Sequence, residues 1–295
     1  MRMLITGGTG LVGGNLARVA PSSHQVWVTD LAPASIYMPE VQWLPADLTK
    51  AQQVRQVFAQ ARPEVVIHCA AISNIDQAER DRDLAWEVNV EGSRLVAACC
   101  RDFGARLVAC STDTVFGGER GGYRESDEPH PLNFYGRTKV EMERLVAATV
   151  PSWAIARLSM VYGLPAVPGP PAYLARLLNS LQAGEAVRAS DTEMRTPVDV
   201  LTVRDALLEL AEGSHQGLMH LAGLDVLSRR ELAQQVAAQV GADPALVEPE
   251  PPGPLPGKAP RPTNATLDCS LARQVLATPM IGLAEGLRRV LPKGR

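Results

Sequence analysis

Tyr135 and Lys139 are the two residues of this chain whose types and spacing best fit a chemical step. They stand four residues apart at the start of a predicted helix and therefore share one helix face. A lysine ammonium beside a tyrosine hydroxyl stabilises the phenolate and lowers the phenol pKa from about 10 toward working pH. Thr112, at the end of an upstream strand-like segment, adds a hydroxyl for a substrate oxygen. Together the three residues predict acid–base chemistry at a carbon–oxygen bond.

A glycine-rich turn near the N-terminus fits the binding of a dinucleotide. Residues 6–13 read Thr-Gly-Gly-Thr-Gly-Leu-Val-Gly between a predicted strand and a predicted helix. Glycines here let the backbone approach a pyrophosphate, whose charge lies at the helix N-terminus. Asp30 ends the next strand, where a carboxylate accepts hydrogen bonds from ribose hydroxyls and repels a 2′-phosphate. Because no Lys or Arg follows directly at 31–33, we expect NAD to be preferred over NADP.

Short strand-like segments alternate with longer amphipathic segments over the first 160 residues. The strand-like segments are 3–5, 25–29, 41–44, 65–68, 107–110 and 154–158, and the helix-like segments are 11–20, 51–60, 84–103 and 136–150. This alternation predicts an α/β fold, a doubly wound parallel sheet of the Rossmann type. Prolines interrupt the pattern after residue 163, and short strands such as 217–222 follow. We expect a dinucleotide-binding domain over 1–160 and a smaller, mixed α/β and loop-rich substrate-binding part over 161–295.

Composition excludes several classes of function. Lys and Arg total 29 against 32 Asp and Glu, and no basic run occurs, so we expect neither a nucleic-acid partner nor membrane binding. The N-terminus has no secretory pattern. Five cysteines without CxxC spacing indicate reduced thiols in a cytoplasmic protein, rather than a disulfide framework or a metal site.

These motifs together resemble the extended short-chain dehydrogenases/reductases, and within them the dTDP-4-dehydrorhamnose reductase-like branch. The resemblance extends over nearly the whole chain. Besides the motifs above it is carried by 66–71, Asn89 with Gly92, 111–113 with 115–116, 123–127, 131–139, Arg157, 162–163, 195–197, 220–223 and 261–264.

The resemblance implies a role for each matching position. Thr112, Tyr135 and Lys139 match the catalytic triad, and Asn89 matches a helix position that often supports a proton-relay water. The positions implied to bind the cofactor are Gly7, Gly10, Leu11, Val12 and Gly13 at the pyrophosphate, Asp30 at the ribose, Asp47 and Leu48 at the adenine, and Cys69, Ala70, Ala71, Tyr135 and Lys139 along the dinucleotide. The positions implied to contact the substrate are Thr112, Asp113, Thr114, Met160 and Arg195.

Two of these positions depart from the pattern of the branch. Thr114 stands where a tyrosine is usual, and Met160 stands where a tryptophan is usual. Both aromatic residues belong to the side of the pocket that contacts the sugar. The cofactor chemistry is unaffected by these differences, whereas the rhamnose-precursor substrate becomes doubtful.

The function implied by the resemblance is NAD(P)-dependent reduction of a keto group, with a 4-keto nucleotide sugar as the small-molecule substrate. An epimerase on the same scaffold remains an alternative, because epimerisation at C4 needs only the triad. Dehydration is disfavoured, since Thr114 rather than a glutamate follows Asp113. A non-catalytic regulatory subunit similar to that of methionine adenosyltransferase is a further alternative, against which the intact triad argues. A homodimer is compatible with the resemblance, because many extended reductases pair through two long helices.

Overall fold

Seven parallel strands form the centre of the molecule. A computed structural model of the chain describes residues 1–31, 38–169, 172–251 and 257–291. Its strands are β1 (Arg2–Thr6), β2 (Gln25–Thr29), β3 (Gln42–Trp43), β4 (Val65–His68), β5 (Arg106–Thr112), β6 (Trp153–Leu158), β7 (Val161–Tyr162), β8 (Val187–Ala189), β9 (Met194–Arg195), β10 (Val198–Asp199), β11 (Gly217–Leu221), β12 (Leu227–Ser228) and β13 (Val247–Pro249). The order across the large sheet is β11-β6-β5-β4-β1-β2-β3, with every neighbouring pair parallel. The predicted doubly wound α/β fold is confirmed.

Helices cover both faces of this sheet. They are α1 (Leu11–Val19), α2 (Ala51–Ala61), α3 (Ile75–Arg80), α4 (Arg82–Trp86), α5 (Ser93–Phe103), α6 (Phe134–Thr149), α7 (Tyr173–Gln182), α8 (Val200–Glu212), α9 (Arg229–Gln239), α10 (Ser270–Val275) and α11 (Leu283–Val290). Successive residues of β1 point to opposite faces of the sheet. Met3 and Ile5 pack on the face covered by α1 and α8, whereas Leu4 packs on the face covered by α2, α5 and α6. A strand buried on both faces is apolar without alternation, which is why these segments could be recognised in the sequence.

The predicted helix over 84–103 is interrupted in the structure. It consists of α4, a π-helical turn over Glu87–Gly92 and α5. The spacing of apolar residues does not distinguish this turn from an α-helix, because a π-helical turn contains only one residue more than an α-helical turn. A short helix that the sequence analysis did not predict, α3, precedes α4. Both elements border the site described below.

The later part of the chain contributes to the sheet and also forms a core of its own. β11 pairs with β6, and α8 packs against α1. The separate core contains leucines of α7, α9 and α11, namely Leu174, Leu177, Leu181, Leu232, Leu283 and Leu287. The division of the chain at residue 160 stays a prediction. Residues 32–33, Pro170, Pro171 and 252–256 lie outside the described residues.

Candidate active site

A cleft of about 850 Å³ opens at the carboxyl ends of β1, β2, β4, β5 and β6. The strand order reverses between β1 and β4, which is where ligands bind in open α/β sheets. All the sequence-predicted cofactor and substrate positions line this one cleft, namely Gly7, Gly10, Leu11, Val12, Gly13, Asp30, Asp47, Leu48, Cys69, Ala70, Ala71, Thr112, Asp113, Thr114, Tyr135, Lys139, Met160 and Arg195.

The glycine-rich turn forms a cradle that larger residues would fill. Gly7 has a φ of +71°, and a β-carbon on it would lie 2.7 Å from the backbone nitrogen of Ala70. A β-carbon on Gly13 would overlap the carbonyl oxygen of Gly7. Gly10 precedes α1 and offers no side chain to bind the first helical amides. This combination of space and unpaired amides fits the pyrophosphate of a dinucleotide.

Asp30 is bound to the same turn. Its carboxylate accepts hydrogen bonds from the Thr9 amide at 2.9 Å and the Thr9 hydroxyl at 2.7 Å. The Asp47 carboxylate accepts hydrogen bonds from the amide and the hydroxyl of Thr49 at 2.9 and 2.7 Å. The hydrogen bond from the amide is the main reason that the pKa of Asp47 is lowered. Two carboxylates therefore stand on the side of the cleft where the adenosine half of a dinucleotide is expected.

Capping interactions fix the start of α6, which carries both Tyr135 and Lys139. The Asn133 side chain accepts the Gly136 amide at 2.9 Å, and Glu79 of α3 accepts the Phe134 amide at 2.9 Å. An N-cap of this kind typically stabilises a helix by about 1 kcal/mol. Tyr135 is consequently held at the first turn of α6, with its ring packed on Ala78 and Ala85.

Asn89 lies in the π-helical turn and connects two walls of the cleft. Its amide donates to the Ile72 carbonyl at 3.2 Å and to the Thr138 hydroxyl at 3.0 Å, while its oxygen accepts the Ile72 amide at 2.7 Å. The Thr138 hydroxyl in turn donates to the Tyr135 carbonyl at 2.7 Å. Asn89 therefore positions the backbone of Tyr135, and its role with a relay water stays a prediction.

The electrostatics of the triad differ from the sequence-based expectation. Burial, and then the charge of Asp113, raise the pKa of the Tyr135 phenol, while the Thr112 hydroxyl opposes this. Burial lowers the pKa of Lys139, and the groups that oppose this are Cys110, Glu143 and Cys69. The expectation that Lys139 lowers the pKa of Tyr135 is wrong for this structure, because Asp113 is the main charge acting on the phenol. Tyr135 is protonated at neutral pH, the form required of a proton donor.

Asp113 is the centre of a buried polar network on the substrate side. The hydroxyls of Thr112 and Thr114 donate to one carboxylate oxygen at 3.2 and 3.1 Å, and Ser159 donates to the other at 3.3 Å. The Arg195 guanidinium lies 3.5 Å from Asp113. Burial raises the pKa of Asp113, and Arg195 is the main group that opposes this. Thr114 thus stabilises the Asp113 carboxylate by a hydrogen bond. The sequence analysis noted only that Thr114 stands where an aromatic residue is usual, and did not predict this contact.

A second buried ion pair joins α6 to β6 below the cleft. Arg157 donates to both carboxylate oxygens of Glu143, at 3.0 and 2.7 Å, and the Ser111 hydroxyl donates to the same carboxylate. The guanidinium also lies 5.1 Å from the centre of the Phe116 ring. The pair therefore links the helix that carries the triad to the sheet.

The sequence analysis missed several residues that line the cleft. Glu193 and Arg229 face each other at 3.6 Å, and Glu193 also lies 3.9 Å from Arg195. No local signal distinguishes them, because they come from separate segments of the later part of the chain. Arg261 lies in a motif that the resemblance included, and it is bound to Asp76 of α3 at 2.9 Å. Cys110 stands two residues before Thr112 near the end of the same strand, and this position could have indicated that it lines the cleft.

Comparison with known protein families gives a match along the whole chain. The family model described as the RmlD substrate binding domain matches residues 1–295. A dTDP-4-dehydrorhamnose reductase of Mycobacterium tuberculosis is 32% identical over 273 residues, which is 90% of this chain and 84% of that protein. The chain belongs to this family. The prediction of the dTDP-4-dehydrorhamnose reductase-like branch of the extended short-chain dehydrogenases/reductases is confirmed.

Two further relatives of the chain are informative. The crystal structure of the dTDP-4-dehydrorhamnose reductase of Bacillus anthracis in complex with NADP has a TM-score of 0.86 and 28% identity, covering 98% of both chains. The methionine adenosyltransferase 2 subunit beta of Bos taurus is 30% identical over 91% of this chain and 80% of its own length. The relatives of this chain therefore include both reductases and a subunit of another enzyme.

Proposed function

We propose that this protein reduces a keto group of a nucleotide sugar, with NAD(P)H as the hydride donor. It is an NAD(P)-dependent oxidoreductase of the short-chain dehydrogenase/reductase type. The observation that carries the proposal is the meeting of a glycine cradle with Thr112, Tyr135 and Lys139 in a single cleft. Most relatives reported above are named for the same reaction class.

The residues of the cleft divide the reaction between them. When bound, the cofactor supplies the hydride to the carbonyl carbon. Thr112 orients the carbonyl oxygen with its hydroxyl, and Tyr135 donates its proton to that oxygen as negative charge develops there. Lys139 lines the same cleft and would hold the ribose next to the nicotinamide. Asp113 and Arg195 are fixed by their mutual ion pair at the substrate side.

NAD is the preferred cofactor in this proposal. Asp30 stands at the end of β2, where the ribose hydroxyls of a dinucleotide are expected, and its carboxylate would repel a 2′-phosphate. The Bacillus anthracis relative was solved in complex with NADP.

Two alternatives remain as candidates and have distinct consequences. An epimerase would use the same triad and return the hydride, so it would change a sugar without net oxidation of the cofactor. A regulatory subunit is favoured by the 30% identity to the methionine adenosyltransferase subunit. Such a subunit would bind another protein and would not need a protonated tyrosine beside a hydroxyl.

One assay separates these three functions. The purified protein is incubated with NADH or NADPH and a panel of 4-keto nucleotide sugars, and oxidation of the cofactor is followed by its absorbance. We expect oxidation with at least one sugar and its loss in the Tyr135→Phe variant. In parallel incubations with NAD and 4-hydroxy nucleotide sugars, conversion of a sugar into its C4 epimer with no net change of the cofactor would identify an epimerase. Failure of every sugar, together with stable binding to a methionine adenosyltransferase catalytic subunit, would identify the regulatory function.

Location and assembly remain predictions. In the described residues, no helix is long and apolar enough to span a membrane. We expect a cytoplasmic protein on the basis of its cysteines, and a homodimer by resemblance to other extended reductases. Fractionation of the native host and light scattering of the purified protein test these two points.

A further inference from the structure

Two cysteine thiols lie side by side in the wall of the cleft. Cys69 follows β4 and Cys110 lies in β5, where the preceding residues His68 and Ala109 pair across the two strands. The two sulfur atoms are 3.6 Å apart. Both residues are half-buried and line the cleft.

The surroundings of Cys110 differ from those of the other cysteines, including Cys69, whose thiol pKa is raised by its hydrogen bond with Cys110 and by burial. A hydrogen bond from Cys69 is the main cause that lowers the pKa of the Cys110 thiol, and the Lys139 ammonium lowers it further. Burial instead raises the pKa of Cys99, Cys100 and Cys269, which do not line the cleft. Thiolates rather than thiols react with oxidants, so Cys110 is the thiol best prepared to react.

We propose that Cys69 and Cys110 form a redox-reactive dithiol, which hydrogen peroxide converts into an intramolecular disulfide. The Cys110 thiolate attacks one peroxide oxygen, the O–O bond breaks, and a sulfenic acid and hydroxide form. Cys69 then attacks that sulfur and expels the second hydroxide, while the S–S bond forms. Two thiols are oxidised by two electrons, and one peroxide is reduced to two waters once the thiol protons are transferred.

The geometry requires only a small displacement. The sulfur atoms must approach from 3.6 Å to about 2.05 Å, and the two residues are already neighbours on adjacent parallel strands. The Gly7 turn lies directly against the backbone of Cys69 and Ala70, so the disulfide would form beside the dinucleotide cradle.

A bound dinucleotide protects the pair in this proposal. This part rests on the proposed function, because it requires the cofactor to occupy the cleft that Cys69 and Cys110 line. A cofactor that covers the thiols slows their oxidation by the factor 1 + [L]/Kd, which is about 100 at a hundredfold excess over Kd.

The test measures the disulfide directly and needs no substrate. The reduced full-length protein is treated with hydrogen peroxide, free thiols are alkylated, and the peptides are identified by mass spectrometry. We expect a peptide pair joined through Cys69 and Cys110, reversed by dithiothreitol and absent in Cys110→Ala. The matched control, Cys269→Ser, is expected to form the same disulfide at the same rate.

Two outcomes overturn the inference. One is oxidation of either cysteine to stable sulfinic acid without any joined peptide. The other is an equal rate of disulfide formation in Cys110→Ala, by exchange with a different cysteine. The reaction is repeated with NADH after its binding has been measured by fluorescence. Unaltered oxidation at saturating NADH would refute the protection, whereas absence of NADH binding would count against the proposed function alone.

Discussion

Thr9 and Asp30 are joined by two hydrogen bonds, so the residue expected to bind the adenosine ribose also holds the glycine-rich turn in place. Substitution of Asp30 therefore has two separable effects. Loss of the ribose contact affects NADH specifically, whereas loosening of the turn affects both cofactors.

The first prediction concerns cofactor choice. NADH is expected to bind more tightly than NADPH, because the Asp30 carboxylate repels a 2′-phosphate. Asp30→Ala is expected to weaken NADH binding more than NADPH binding. Fluorescence titration with both reduced cofactors measures this. Thr9→Val is the matched control, since it removes a hydrogen bond of the turn and keeps the carboxylate. Tighter binding of NADPH by the unmodified protein would contradict the role assigned to Asp30.

The second prediction concerns proton donation. Tyr135→Phe keeps the ring that packs on Ala78 and Ala85 and removes only the hydroxyl. Turnover is expected to fall by about 10² or more, the usual scale for a positioned acid, with little change in cofactor affinity. Lys139→Ala is expected to lower both turnover and cofactor affinity. Steady-state kinetics and titration of NADH separate the two patterns, and near-normal turnover of Tyr135→Phe would disprove the triad assignment.

The third prediction concerns the substrate. The hydroxyl of Thr114 is directed to Asp113, and Met160 offers apolar contact without a hydrogen bond. Loss of a hydrogen bond at a site for hydroxyl groups costs about 1–3 kcal/mol. Two such losses reduce activity on dTDP-4-dehydrorhamnose by roughly 10²–10⁴ unless Arg195 compensates. A different keto nucleotide sugar is expected to react better. A kcat/KM for dTDP-4-dehydrorhamnose above about 10⁴ M⁻¹s⁻¹ would show that the two residues do not redirect specificity.

The fourth prediction concerns the buried pair of Glu143 and Arg157. Arg157→Leu leaves the Glu143 carboxylate buried without its partner, which typically costs about 3–5 kcal/mol. Denaturant unfolding measures the loss. Arg94→Ala is the control, because it breaks an exposed pair with Glu91 and is expected to change the free energy of unfolding by less than about 1 kcal/mol. Equal effects of the two variants would mean that the buried pair is not structurally important.

The fifth prediction concerns acid stability. Burial lowers the pKa of His68 to about 3 and, together with Arg157, that of His220 to about 4. The unfolded chain takes up protons at these histidines below pH of about 6.5, whereas the folded protein does not. The free energy of unfolding is therefore expected to fall as the pH decreases from 6.5 to 5, by about 1.4 kcal/mol per histidine per pH unit.

His220→Leu isolates the contribution of one histidine. The dependence of unfolding free energy on pH is expected to become shallower by about 1.4 kcal/mol per unit, whatever the absolute stability of the variant. Asp113 acts in the opposite direction, because its raised pKa stabilises the folded state as the pH falls. An unchanged slope in His220→Leu would show that another group determines the acid sensitivity.

The sequence by itself indicated the sheet, the glycine turn and the three residues of the candidate triad. Strands buried on two faces are continuously apolar, and a tight turn at a pyrophosphate requires glycine, so both features can be recognised in short stretches of the sequence.

The tertiary structure decided the electrostatics of the site and the contacts that hold its residues in place. Burial and then the charge of Asp113 raise the pKa of Tyr135, and Cys110 contacts Cys69 across two strands that are separated by an entire helical crossover. Charge interactions and side-chain contacts depend on the distance between residues in space. For residues of different helices and strands, their spacing along the chain does not reveal this distance.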